Sequence, residues 1–132
     1  MNQIKIIYWA STGLLCLIYF GGAAFYATQG AMVAEIYGMI GYPTYLISLL
    51  IVVKILGPVA ILSRLSVPLS DLAYAGMFFH LLLAISAHIN AGDNGYAPAV
   101  IGLLLMLVSF FTQNAVRKGE SPNAGNRFTA TA

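Results

Sequence analysis

Lys54 stands inside the apolar run IVVKILGPVA, residues 51–60, and His80 inside LAYAGMFFHLLLAISAHIN, residues 72–90. An ammonium donates hydrogen bonds and carries charge; an imidazole accepts, donates or takes up a proton. If both runs are membrane helices, both groups fall near the middle and share one depth. A charge there costs about 2.5–3.5 kcal/mol. About eight helical residues, or ~12 Å, separate Lys54 from either boundary, so snorkelling gives little relief. Neutralisation, a partner inside the bundle, or water must resolve it. Intramembrane ionisable groups mark functional sites; the plain alternative is a lysine bound to local carbonyls beside a packing kink. Pro58 sharpens the question. It has no N–H, so the carbonyl four residues earlier, that of Lys54, loses its helical donor. Gly57 lets a neighbouring helix approach closely.

Two further stripes point the same way. Tyr8, Thr12, Cys16, Tyr19, Ala23 and Tyr26 recur at spacings of three or four and carry most hydroxyls of the first run, a face that lipid would reject. Gly102, Met106, Ser109 and Gln113 form a weaker stripe in the last run. In the third run Ala73, Gly76, His80, Ala84, Ala87 and Ala91 make a narrow band of small residues, which predicts a helix–helix interface and turns His80 inward. His88 lies at its edge, two turns nearer the outside. Two histidines eight residues apart are too far apart to share one metal ion without other ligands, so no metal site is expected. The predicted interior therefore holds Tyr19, Lys54, His80 and His88 and opens outward towards Glu35 and Asp93. No Asp or Glu falls within a span core, unlike an exporter of cationic drugs. The interior suits an anion or an electron-rich carbonyl such as a quinone or a carboxylate. The plain alternative is structural: hydrogen-bonded histidines and interhelical polar contacts worth about 0.6 kcal/mol each.

The elements that must position these groups follow from composition. The 132 residues are 60% hydrophobic and 8% charged, too apolar for a small soluble core. Four runs, about 5–27, 44–62, 70–90 and 96–114, reach or approach the roughly 20 residues of a span. The first exceeds a signal-peptide core and is read as retained. The reading is an all-α, integral membrane four-helix bundle over residues 1–114. Between the first two spans, Val33, Ile36, Tyr37 and Ile40 share a face opposite Glu35, which predicts a short interfacial helix stopped by Gly41 and Pro43. Residues 115–132 read as a polar, disordered tail. Lys5, Arg64, Arg117 and Lys118 fall on one side and Glu35 and Asp93 on the other, so both termini are expected in the cytoplasm. Tyr8, Trp9 and Tyr74 would belt the inner boundary, and Tyr26, Tyr42, Tyr45 and Tyr96 the outer one.

Several classes are disfavoured. No basic run is interleaved with aromatics, so nucleic acid is not an expected partner. Cys16 is the one cysteine, which excludes an intrachain disulfide and a CxxC pair. Leu15 before it does not fit a lipoprotein signal. No nucleophile–base–orienter set and no phosphate loop is evident, so a standalone catalyst is not expected.

The segments NQIKIIYWASTGLL, GYPTYLISLLIVVKILGPVAIL, AYAGMFFHLLLAISAH and AGDNGYAPA resemble the DoxX-like family of small bacterial four-helix membrane proteins. The resemblance reaches to about Gln113; the tail has no counterpart. Lys54 with Gly57, Tyr74 with Gly76, His88, and Gly92 with Asp93 correspond to its recurrent positions. It implies a four-helix bundle in a bacterial inner membrane. The wider family includes membrane subunits associated with thiosulfate:quinone oxidoreduction, which implies quinone as a cofactor or ligand and a redox partner protein. The resemblance implies that relatives often have an acid or amide at the position of His80, and that departure weakens the transfer of an ion-pair role. Three readings stay open: a redox-associated protein binding a quinone or similar compound near Lys54 and His80; a small anion or weak-acid transporter acting as a homodimer; and an assembly subunit whose interior polarity only specifies packing.

Overall fold

The computed structural model describes residues 2–125. Five α-helices follow one another: α1 (Gln3–Thr28), α2 (Gly30–Met39), α3 (Leu46–Ser63), α4 (Val67–Ala91) and α5 (Ala97–Thr112), which runs into a 3₁₀ turn, Gln113–Ala115. By length and composition α1, α3, α4 and the α5–3₁₀ segment can each cross a membrane. The fold is thus the all-helical, four-span bundle expected, including the short helix expected between the first two spans.

Local chemistry sets the ends. The Asn2 side chain caps α1 by accepting from the Ile4 N–H at 3.1 Å. The Ser66 hydroxyl caps α4, followed by Pro68 in the first turn, where its missing N–H is harmless. Gly92 ends α4 in the left-handed conformation (φ 71°) that glycine adopts without strain. In α2, Val33 and Tyr37 are buried, Ile36 and Ile40 half-buried, and Glu35 exposed. That is the amphipathic face its periodicity predicts.

The spanning helices pack in the cyclic order α1, α3, α4, α5. Leu15, Tyr19, Ile61, Tyr74, Met77, Leu81 and Met106 form the core. Leu49, Val52, Leu56, Val59, Leu72, Phe79, Leu83 and Leu104 remain exposed on the outside, where only lipid would accept a continuous apolar belt. The α1 stripe faces inward as expected: Tyr8, Thr12, Cys16, Tyr19 and Ala23 are buried. The same holds for Gly102, Met106, Ser109 and Gln113. Ser109 joins three helices, its Oγ lying 2.6 Å from Thr12 Oγ1 and 2.7 Å from the Tyr74 hydroxyl.

Three expectations are adjusted. The buried face of α4 is Ser70, Tyr74, Met77, Leu81 and Ala87, rotated by about one residue from the small-residue band. Gly76 and Ala91 are exposed. Larger side chains gain more from burial and fill the space between helices, which leaves the small residues along grooves beside the seam. Second, Tyr8 and Tyr74 turn into the bundle instead of belting its boundary, being 1% and 2% exposed. Third, within the tail, residues 119–125 fold back on the bundle. Asp71 accepts from Ser121 Oγ at 2.6 Å and Asn123 Nδ2 at 2.9 Å, and Asn114 Nδ2 donates to the Ser121 carbonyl at 2.9 Å. Polar composition argued against a packed core, yet specific acceptors at the bundle end hold this segment. Residues 126–132, also part of the tail expectation, lie outside the described residues.

Candidate functional site

Three helices bring the polar groups together. α1 contributes Tyr19, Gly22 and Tyr26 from one face, α3 contributes Lys54, and α4 contributes His80 and His88. These side chains line a cavity of about 350 Å³ inside the bundle. The volume lies in the range of small-molecule sites, about 300–1,000 Å³.

Tyr19 is the hub. Its hydroxyl lies 3.0 Å from His80 Nδ1 and 3.5 Å from the Met77 carbonyl. Lys54 Nζ sits 5.4 Å from the centre of the Tyr19 ring and 4.9 Å from that of Tyr26. Two ring faces thus offset part of the cost of an ammonium at depth. Among the described residues, the Lys54 side chain has no carboxylate within ion-pairing distance. Lys54 and His80 thus line the same cavity, each beside Tyr19. Gly22 makes this arrangement fit, since a Cβ there would lie 3.3 Å from Lys54 Nζ. Sequence reading missed Gly22; the available signal was its place one turn beyond Tyr19 on the inward face.

α2 covers one side of the cavity. Val33, Ile36 and Tyr37 reach the cavity wall, and the Tyr37 hydroxyl donates to that of Tyr26 at 3.2 Å. Burial, then the bond with Tyr26, pushes the Tyr37 phenol above its ordinary range. His88 Nδ1 lies 2.7 Å from Asp93 Oδ1, which also accepts from the Gly95 N–H at 2.8 Å. The backbone bond first and the histidine second hold the Asp93 carboxyl below the usual carboxylate range. Glu35 points away, exposed on the outer side of α2, and is not brought to the cavity. Asp93 does not line the cavity and meets it through His88 and Gly95, which do.

A second, apolar groove of about 330 Å³ lies between α3 and α4. It begins at the same Tyr19 and His80 and runs past Gly57, Ala60, Ala73 and Gly76. Gly57 accepts a close neighbour: a Cβ there would meet Met77 Cε at 2.9 Å. Pro58 is buried, and α3 continues through it to Ser63. Nothing lies within 4 Å of where a Gly76 Cβ would be, so that glycine keeps the groove open.

The DoxX-like family profile matches residues 10–111, across all four spans. This chain belongs to the DoxX-like family. The match includes Tyr19, Lys54, His80, His88 and Asp93 of this DoxX-like protein and stops before Arg117 and the tail. With its four candidate spans, the DoxX-like chain is a multi-pass membrane protein. No curated protein and no solved structure matches it. Among the described residues, no three His, Cys, Asp or Glu side chains converge as a metal site would require.

Proposed function

We propose that this DoxX-like protein binds a quinone, or a similar carbonyl-bearing or anionic amphiphile, inside the bundle near Lys54 and His80. One observation carries the reading: the polar cavity and the apolar groove meet at Tyr19 and His80. A ligand with a polar head and an apolar tail fits that junction. Lys54 would donate to a carbonyl oxygen of the head, and the groove between α3 and α4 would take the tail. An ammonium offers three donors, and its two aromatic neighbours satisfy none of them as a hydrogen-bond acceptor in the ring plane would. His80, engaged at Nδ1 by Tyr19, keeps Nε2 for the head. The proposal concerns binding; electrons for a reduced quinone would come from a redox partner protein.

The basic end formed by Arg64, Arg117 and Lys118, opposed to Glu35 and Asp93, supports a bacterial inner-membrane location with both termini in the cytoplasm. Substituting Lys54→Met keeps the aliphatic stem and removes the donors. Quinone titration of protein in lipid nanodiscs, read by intrinsic fluorescence quenching, should show roughly tenfold weaker binding. Equal affinity in both proteins removes the ammonium from the site.

The absence of a carboxylate beside Lys54 among the described residues favours a second reading, passage of an anion or weak acid. Liposome flux indifferent to Lys54→Met and His80→Phe would dispose of it. If neither ligand nor flux responds, the third reading, a packing role in an assembly subunit or homodimer, gains.

A further inference from the structure

The opposite, basic end of the bundle holds a separate cavity of about 250 Å³, lined by Arg64, Val67, Val116, Arg117, Lys118 and Gly119. Arg117 is only 5% exposed. Its Nη2 donates to Ser70 Oγ, while Nε and Nη1 are buried without a partner among the described residues. Arg64 repeats the pattern. Its Nη1 donates to the Val116 carbonyl at 3.1 Å, and its Nε and Nη2 are buried and unpartnered. Burying a charged donor without an acceptor is among the costlier things a fold can do. No carboxylate forms an ion pair with either guanidinium among the described residues. Asp71 is occupied by Gln113, Ser121 and Asn123, and Glu120 is exposed.

The backbone adds an independent sign. Arg64 ends α3 at φ 52°, the one non-glycine residue with positive φ among those described. Glycine is the usual occupant of such a cap. An arginine held there against steric preference indicates that its side chain is needed where it lands. It lands 4.7 Å over the Trp9 ring. Trp9 is itself 45% exposed, as an indole at a membrane–water boundary would be. The N-terminus of α4 opens on the same cavity at Val67, adding partial positive charge.

We propose that this cavity is a binding site for a phosphate-bearing anion, either the headgroup of an anionic phospholipid or free phosphate. Two guanidinium forks and Lys118 supply planar, charge-assisted donors that suit phosphate oxygens. Basic pockets between spanning helices bind anionic headgroups by the same chemistry.

The test uses the full chain in nanodiscs of phosphatidylcholine, with or without phosphatidylglycerol, and with inorganic phosphate added to the first. Retained lipid is read by native mass spectrometry and stability by thermal unfolding. Phosphatidylglycerol held in preference to phosphatidylcholine assigns a headgroup site; stabilisation by phosphate in phosphatidylcholine alone assigns a free-anion site. In either case Arg117→Gln should weaken the response roughly tenfold. Arg64→Gly should do the same while relaxing the left-handed backbone, and it carries the test if Arg117→Gln does not fold. Indifference to both phosphatidylglycerol and phosphate overturns the proposal. So does a response that Arg64→Gly leaves unchanged.

Discussion

The Tyr19 hydroxyl of α1 and the Nδ1 of His80 on α4 lie 3.0 Å apart, which ties two helices that are diagonal in the bundle. The Tyr19 ring also faces Lys54. One residue therefore fixes the imidazole and cushions the ammonium.

Tyr19→Phe separates these two roles. The ring stays for Lys54, and His80 loses its partner. Thermal or denaturant unfolding in lipid should show a loss of about 0.5–1.5 kcal/mol, with quinone affinity falling alongside. Unaltered stability and affinity would mean that the bond contributes nothing.

Ser109→Ala removes the shared partner of the buried Thr12 and Tyr74 hydroxyls. Interhelical hydrogen bonds in membranes average about 0.6 kcal/mol, and two are lost here, so a destabilisation of about 1 kcal/mol is expected. A double-mutant cycle with Tyr74→Phe measures the coupling. Strict additivity would contradict the joint network.

Gly76→Leu tests the groove. The position is open and exposed, so the substitution should fold, and leucine favours helix over glycine by roughly 0.5–1 kcal/mol. The new side chain would occupy the path assigned to a ligand tail. Affinity for a long-tailed quinone should drop while a tailless analogue binds as before. An equal effect on both ligands would reject the groove as the tail channel.

Asp93 supplies a pH dependence outside the spans. Its carboxyl is held below the ordinary range, about 3.9 for a free aspartate. The folded state thus favours the ionised form, and the associated stability is present above the ordinary value. It is lost as pH falls through the depressed one. Hydrogen exchange at the Gly95 amide, which donates to Asp93, should therefore stay slow down to about the free-aspartate pKa and quicken below it. Asp93→Asn should abolish that dependence; the same acid profile in the variant would assign it to another group.

Much of the architecture was legible because lipid imposes simple rules. Four apolar runs of sufficient length had to be spans, and polar stripes such as Tyr8–Thr12–Cys16–Tyr19 and Gly102–Met106–Ser109 had to turn away from hydrocarbon. The amphipathic α2 was legible for the same reason. Hydropathy also put Lys54 and His80 near the middle of their runs, and the structure brings both to one cavity.

Rotation about a helix axis was less accessible. α4 is apolar nearly all round, and its sequence singled out the Ala73–Gly76–Ala84 band, whereas the structure buries Tyr74, Met77 and Leu81. Packing against α1, α3 and α5 chose the larger side chains. The meeting of Arg64 with Arg117, the return of residues 119–125 to Asp71, and the placing of Tyr19 between Lys54 and His80 each join parts of the chain distant in sequence. A sequence by itself determines how deep each residue lies, because that depends on its own transfer from water to lipid. Which residues touch depends on how side chains of different helices fill shared space, and only the tertiary structure decides that.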